Sequence, residues 1–208
     1  MRSHEQHGHG PGRDPFGNPK DLKAYLKKLL SPERDAWQRP ERVARELRIR
    51  GKTVAEIGPG PGYFTLPLAR AVGRGGRVFA VEVEPRLMSV LRDRLIEHGV
   101  GHVTPVLGLP EDPLLPAASC DLVFAVNTFH HFHRLPAYLR KLARALKPGG
   151  RIVNIDFHKR ELPFGPPVDH KLSREDFLAS ARRAGLRLAT ESDLLPYQYF
   201  LTLKLSRS

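Results

Sequence analysis

The chain has 208 residues, 40% of them hydrophobic, enough to bury one full core in a single domain. Cys120 is its only cysteine, which excludes an internal disulfide, a cysteine zinc cluster and a thiol pair, and argues against redox or metalloid chemistry. No run approaches the roughly 18 consecutive apolar residues of a membrane span, and the polar start lacks the apolar segment of a signal peptide, so a soluble, cytoplasmic protein without an integral membrane segment is expected.

The formal charge of +12 invites a nucleic-acid reading. Residues 1–53, however, carry 13 basic and 7 acidic side chains and the remaining 155 carry 21 and 15, so the excess is spread along the chain. Scattered arginines such as Arg92, Arg140 and Arg183 read as solvated helix faces. Acidic small molecules, acidic partners and anionic membrane surfaces stay compatible with the charge.

In chain order, residues 1–18 hold His4, His7 and His9 among Gly and Pro with no hydrophobic period, a composition that predicts a disordered tail. Residues 19–50 form a helical extension. "PKDLKAYLKKLL" spaces Leu22, Tyr25, Leu26, Leu29 and Leu30 along one helical stripe. Ser31 reads as an N-cap with Pro32 in the first turn, and Pro40 as a second helix start whose Val43, Leu47 and Ile49 face the core. Trp37 is either a core anchor or part of a lid over a ligand.

From Gly51 the pattern changes to strands alternating with helices. "TVAEIG", "RVFAVEVEP", "HVTPVLG", "CDLVFAVN" and "RIVNIDFH" read as strands, with helices over 63–71, 85–98 and 135–146 between them. This is the signature of an α/β, Rossmann-like, mostly parallel sheet with helices on both faces. A helix capped by Ser173 and Asp176 and stopped by Gly185 follows. "LRLATES" and "YQYFLTLKL" come next, joined by a link too short for a parallel crossover, so the sheet closes with an antiparallel hairpin.

The turn after the first strand, "VAEIGPGPGYF", places Gly58, Gly60 and Gly62 at alternate positions with Glu56 two residues ahead. Glycine allows both a sharp strand-to-helix turn and the approach of a ligand to the backbone. The spacing is not that of the dinucleotide fingerprint and no Walker lysine follows. Glu82, at the carboxyl end of the second strand, can accept hydrogen bonds from both hydroxyls of an adenosine ribose.

At these residues, and at "LKPGGRIV" before the fifth strand, the chain resembles the class I S-adenosylmethionine-dependent methyltransferases over about residues 40–205. The resemblance implies a seven-stranded sheet and S-adenosylmethionine as cofactor, with S-adenosylhomocysteine as product. It implies that Gly58, Gly60 and Gly62 line the cofactor, that Glu56 orients its amino group, that Glu82 fixes the ribose, and that Val83, Leu109 and Asn127 border it. An acid that the family often places after the third strand is replaced by Leu109, with Glu111 or Asp112 as substitutes.

Methyl transfer is an in-line displacement that needs alignment, exclusion of water and, for a protonated nucleophile, a base. His130, His131 and His158 are the base candidates; Trp37, Tyr63, His170, Tyr197 and Tyr199 are candidates for the acceptor pocket, and no metal site is expected. The family's nucleic-acid amino-methylating signature is missing from "NTFHHF", which leaves a small-molecule, quinone-like or lipid-like acceptor. The alternatives are a nucleic-acid methyltransferase and a noncatalytic S-adenosylmethionine-binding module.

Overall fold

A computed structural model describes residues 20–206. The histidines of the N-terminal tail lie outside the described residues. Two helices, α1 (Leu22–Leu29) and α2 (Arg34–Gln38), lead to α3 (Pro40–Glu46), with Arg39 at φ 46° making the corner between α2 and α3. Strand β1 (Thr53–Ile57) opens the sheet. It continues as α4 (Thr65–Val72), β2 (Arg77–Glu82), α5 (Pro85–Glu97), β3 (Val103–Leu107) and β4 (Cys120–Val126). A 3-10 turn, Phe129–His131, precedes α6 (Leu135–Ala145) and β5 (Leu146–Phe157), and another, Val168–His170, precedes α7 (Arg174–Arg183), β6 (Leu186–Ser192) and β7 (Gln198–Leu205).

The seven strands order as β3-β2-β1-β4-β5-β7-β6. Pairs among the first five are parallel, and β7 runs antiparallel to both β5 and β6, giving the expected hairpin. Alternate residues of each strand feed two cores. Val54, Leu122, Phe124, Val153 and Ile155 pack with Val43, Leu68 and Leu91 from α3, α4 and α5. Ala55, Ile57, Val123, Ala125 and Ile152 pack with Leu139, Leu142, Phe177 and Ala181 from α6 and α7. The reversal of strand order between β1 and β4 makes the carboxyl edge of β1, β2, β4 and β5 the natural place for a ligand.

Two local expectations are corrected. Ser31 does not cap a helix: its carbonyl accepts the Arg34 N–H in a turn, and α2 begins three residues later. The helix expected from residue 63 starts at Thr65, because the glycine turn and its following residues complete another turn of irregular chain first. The caps at Ser173, with its hydroxyl accepting from Asp176 N at 3.0 Å, and at Gly185, with φ 78°, match the sequence reading.

Candidate functional site

The three turn glycines all have positive φ, but their surroundings differ. A Cβ on Gly58 would lie 2.7 Å from Thr128 Cγ2, and one on Gly62 would lie 2.7 Å from Leu91 Cδ1. One on Gly60 would meet only Leu29 Cδ1, at 3.7 Å. Gly58 and Gly62 are therefore small because the protein packs against them, whereas Gly60 faces open space roofed by the end of α1.

Glu82 closes onto this turn. Its carboxylate accepts the backbone N–H of Gly60 at 3.0 Å, of Val83 at 2.8 Å and of Glu84 at 3.0 Å. Burial raises its pKa, against those three donors. Glu56 lies on the α4 side of β1, where the Thr65 hydroxyl donates to Oε2 at 2.5 Å. Burial pushes its pKa to about 8, so the acid is largely neutral at pH 7. A buried carboxyl with one hydroxyl donor and a second carboxylate, Glu82, close enough to disfavour its charge suits a cationic ligand group. On these two observations the residues present fit S-adenosylmethionine, which carries an ammonium and a sulfonium.

At the ends of β4 and β5 a second constellation forms. His130 Nδ1 lies 2.9 and 3.0 Å from the two carboxylate oxygens of Asp156, which also accepts the Phe157 N–H at 2.9 Å. Both side chains are more than nine-tenths buried. The His131 ring centroid lies 4.2 Å from that of His130, but His131 is exposed. Asn127, at φ 53°, accepts from Gln198 Nε2 at 2.7 Å, which ties β4 to the first residue of β7. Thr128 donates toward the carbonyls of Val126 and Ile57, holding the end of β4 against the glycine turn.

The other candidates scatter. Trp37 is buried, stacks on Phe164 with ring centroids 5.0 Å apart, and approaches Phe157 at 5.6 Å and Tyr197 at 6.2 Å, forming an aromatic group at the end of β5. Tyr63 donates to Asp35 of α2 at 2.5 Å and lies under the Arg34 guanidinium, so it fastens the N-terminal helices over the turn. His158 is half-buried after β5, its pKa lowered by burial and by Arg160. His170 is exposed beside Asp169.

Tyr199 pairs across the β5–β7 ladder with Asp156. It is 1% exposed in the α6–α7 core, stacked near Phe177, with its hydroxyl donating to Leu172 O at 3.3 Å. Its register opposite Asp156 puts it on the same face as that carboxylate, away from the α4 side, with the His158 ring centroid 6.1 Å from its own. Leu109 is exposed in a tight turn with Asp112, and Asp112 is engaged by Lys141 at 2.8 Å, while Glu111 is exposed. A groove of about 680 Å³ between α3 and the β6–β7 pair, lined by Arg48, Arg151 and Lys204, contains none of the expected residues.

The parallel sheet, its reversed hairpin and a glycine turn facing a strand-end acid define a Rossmann-like, nucleotide-cofactor-binding α/β protein. A family model described as a methyltransferase domain matches residues 55–154. A solved S-adenosylmethionine-dependent methyltransferase from Aquifex aeolicus superposes with a TM-score of 0.82 and 26% identity, covering 86% of this chain and 96% of that one. The ubiquinone/menaquinone biosynthesis C-methyltransferase UbiE of Azotobacter vinelandii is 34% identical over 111 residues, 53% of this chain and 44% of its own length. Nocamycin O-methyltransferase of Saccharothrix syringae is 35% identical over 102 residues, 49% of this chain and 36% of its own. The matches thus span less than half of either curated relative. Residues 55–154 thus carry a methyltransferase domain, and the chain shares its overall fold with an S-adenosylmethionine-dependent methyltransferase.

Proposed function

We propose that the chain transfers a methyl group from S-adenosylmethionine to a small-molecule acceptor of quinone-like or lipid-like character whose nucleophile must lose a proton. The observation that carries this reading is the His130–Asp156 pair, at the same sheet edge as the clasp of Glu82 on Gly60. When bound, the cofactor supplies an electrophilic methyl on a sulfonium. Gly60 would admit its approach to the backbone, Glu82 would hold the ribose, Glu56 would ionise against the amino group, and Val83 and Leu109 would border the adenine.

Asp156, as a carboxylate, only accepts; the Nδ1–H of a neutral His130 therefore donates to it. That leaves Nε2 with the free lone pair of a general base, and the carboxylate stabilises the imidazolium formed on proton transfer. The group of Trp37, Phe164, Phe157 and Tyr197 supplies an apolar, water-excluding wall for a planar or greasy acceptor. The two curated relatives support the acceptor class by name, one acting in quinone biosynthesis and one on nocamycin.

The test is transfer of labelled methyl into fractionated extract, sorted into small-molecule, lipid, protein and nucleic-acid pools. Label in the small-molecule or lipid pool, lost with His130→Gln, is the expected result. Label confined to nucleic acid overturns the acceptor class, and binding of S-adenosylhomocysteine without transfer to any pool leaves a noncatalytic module.

A further inference from the structure

Helix α1 is amphipathic in a way that its place in the fold does not use up. Leu22, Tyr25, Leu26, Leu29 and Leu30 recur at helical spacing along one side, yet all five are only half-buried and no residue of the helix is buried. Helix α6 shows what the same pattern does when it serves the core: Leu135, Tyr138, Leu139 and Leu142 are each 4% exposed or less. On the opposite side of α1, Lys20, Lys23, Lys27 and Lys28 are all exposed. The one acid of the segment, Asp21, is held as the N-cap, its carboxylate accepting from Ala24 N at 3.0 Å. Toward the body of the protein, Leu29 reaches the space beside Gly60, and its carbonyl accepts from Arg34.

We propose that α1 is an interfacial helix that docks the protein on an anionic lipid surface. The lysines draw the helix to the headgroups, and the leucines and Tyr25 turn from the glycine turn into the headgroup–acyl boundary. The charge of +12 on the whole chain adds attraction of the same sign. A nucleic-acid backbone would use the lysines alone, because phosphates gain nothing from four leucines; a lipid surface uses both sides of the helix. Since Leu29 roofs the space beside Gly60, this docking also uncovers the cofactor edge toward the phase in which a lipid-like acceptor dissolves. The inference stands on the helix and not on the methyl-transfer reading, and its assay needs neither cofactor nor turnover.

The experiment is co-sedimentation of the full chain with vesicles of phosphatidylcholine alone and of equimolar phosphatidylcholine and phosphatidylglycerol. Binding to the mixed vesicles only is expected. The triple variant Lys23→Gln, Lys27→Gln, Lys28→Gln, at exposed positions that carry no fold, should weaken partitioning on the order of a hundredfold, at about one factor of five per lysine. The pair Leu22→Gln, Leu26→Gln keeps every charge and should weaken it comparably, with circular dichroism checking the fold. If that pair unfolds, Leu22→Gln alone should still reduce binding severalfold. Absence of binding to the mixed vesicles overturns the proposal. So does binding that ignores the lysine substitutions, which assigns it to another basic face, or binding that ignores the leucine substitutions, which reduces it to charge alone. Binding of single-stranded RNA with the same lysine dependence, and without vesicle binding, replaces lipid by nucleic acid.

Discussion

Replacing Glu56 by glutamine separates what the acid does for the fold from what it does for a ligand. Its folded pKa of about 8 stands above the ordinary glutamate value of 4.5, because burial penalises the charged form. Between those two values the unfolded chain has lost the proton and the folded chain keeps it, so folding stability falls as pH rises from about 4.5 to about 8 and is level beyond. At pH 7 the gap from 4.5, at about 1.4 kcal/mol per pH unit, costs the wild type about 3 kcal/mol. Glu56→Gln removes that cost and keeps an oxygen to accept from the Thr65 hydroxyl, at a loss of about 1 kcal/mol for the altered hydrogen bond. A net gain of about 2 kcal/mol should raise the melting temperature at pH 7 by roughly 4–8 °C and flatten its pH dependence.

Binding should move the other way. An ammonium brought beside Glu56 drives its ionisation, so S-adenosylhomocysteine should bind the wild type at pH 7 with release of about one proton. Titration calorimetry in buffers of different ionisation enthalpy counts that proton. The variant should release none through this site and bind more weakly by about 1.5–3 kcal/mol, the range for a hydrogen bond to a charged group. Equal proton counts for the two proteins, together with parallel curves of melting temperature against pH, would refute the reasoning.

The alternation of strand and helix patterns after Gly51 was enough to read the sheet, because each strand's apolar run and each helix's period reflect burial on both faces. Glu82 was legible for the same reason: a strand's last residue lies at the edge by topology. The contacts that build the site from distant segments were not. Gln198 meets Asn127 only because β7 runs antiparallel beside β5, and 71 positions of sequence separate the two. The Thr65 partner of Glu56 could have been sought among hydroxyls at the start of the next helix, since the turn returns the chain over β1. The face that Tyr199 takes was not legible, because alternation along a strand decides it and the run "YQYF" places aromatics at both parities. The incomplete burial of the α1 stripe has no sequence signal at all, because its spacing is that of a buried helix.

Glu82→Ala leaves three backbone N–H groups without their acceptor and should lower both stability and S-adenosylhomocysteine affinity, the latter by about 1.5–3 kcal/mol in calorimetry; unchanged affinity in the folded variant removes the residue from the site. His130→Gln should reduce kcat by about 10²–10⁴-fold while leaving S-adenosylhomocysteine affinity within twofold, and full activity would eliminate a base role for this imidazole. The glycine turn offers a contrast that one packing argument must get right twice. Gly58→Ala would put a methyl 2.7 Å from Thr128, whose hydroxyl is tied to the Ile57 and Val126 carbonyls, and would do so at φ 68°, so roughly 1–3 kcal/mol of stability should be lost in chemical denaturation. Gly60→Ala carries the backbone strain at φ 56° but meets only the flexible end of Leu29, so it should cost about 1 kcal/mol of stability and far more of cofactor affinity, because its methyl occupies the space left for the ligand. Comparable losses of stability in the two variants, with S-adenosylhomocysteine binding intact in Gly60→Ala, would mean that the space beside Gly60 belongs to α1 and not to the cofactor.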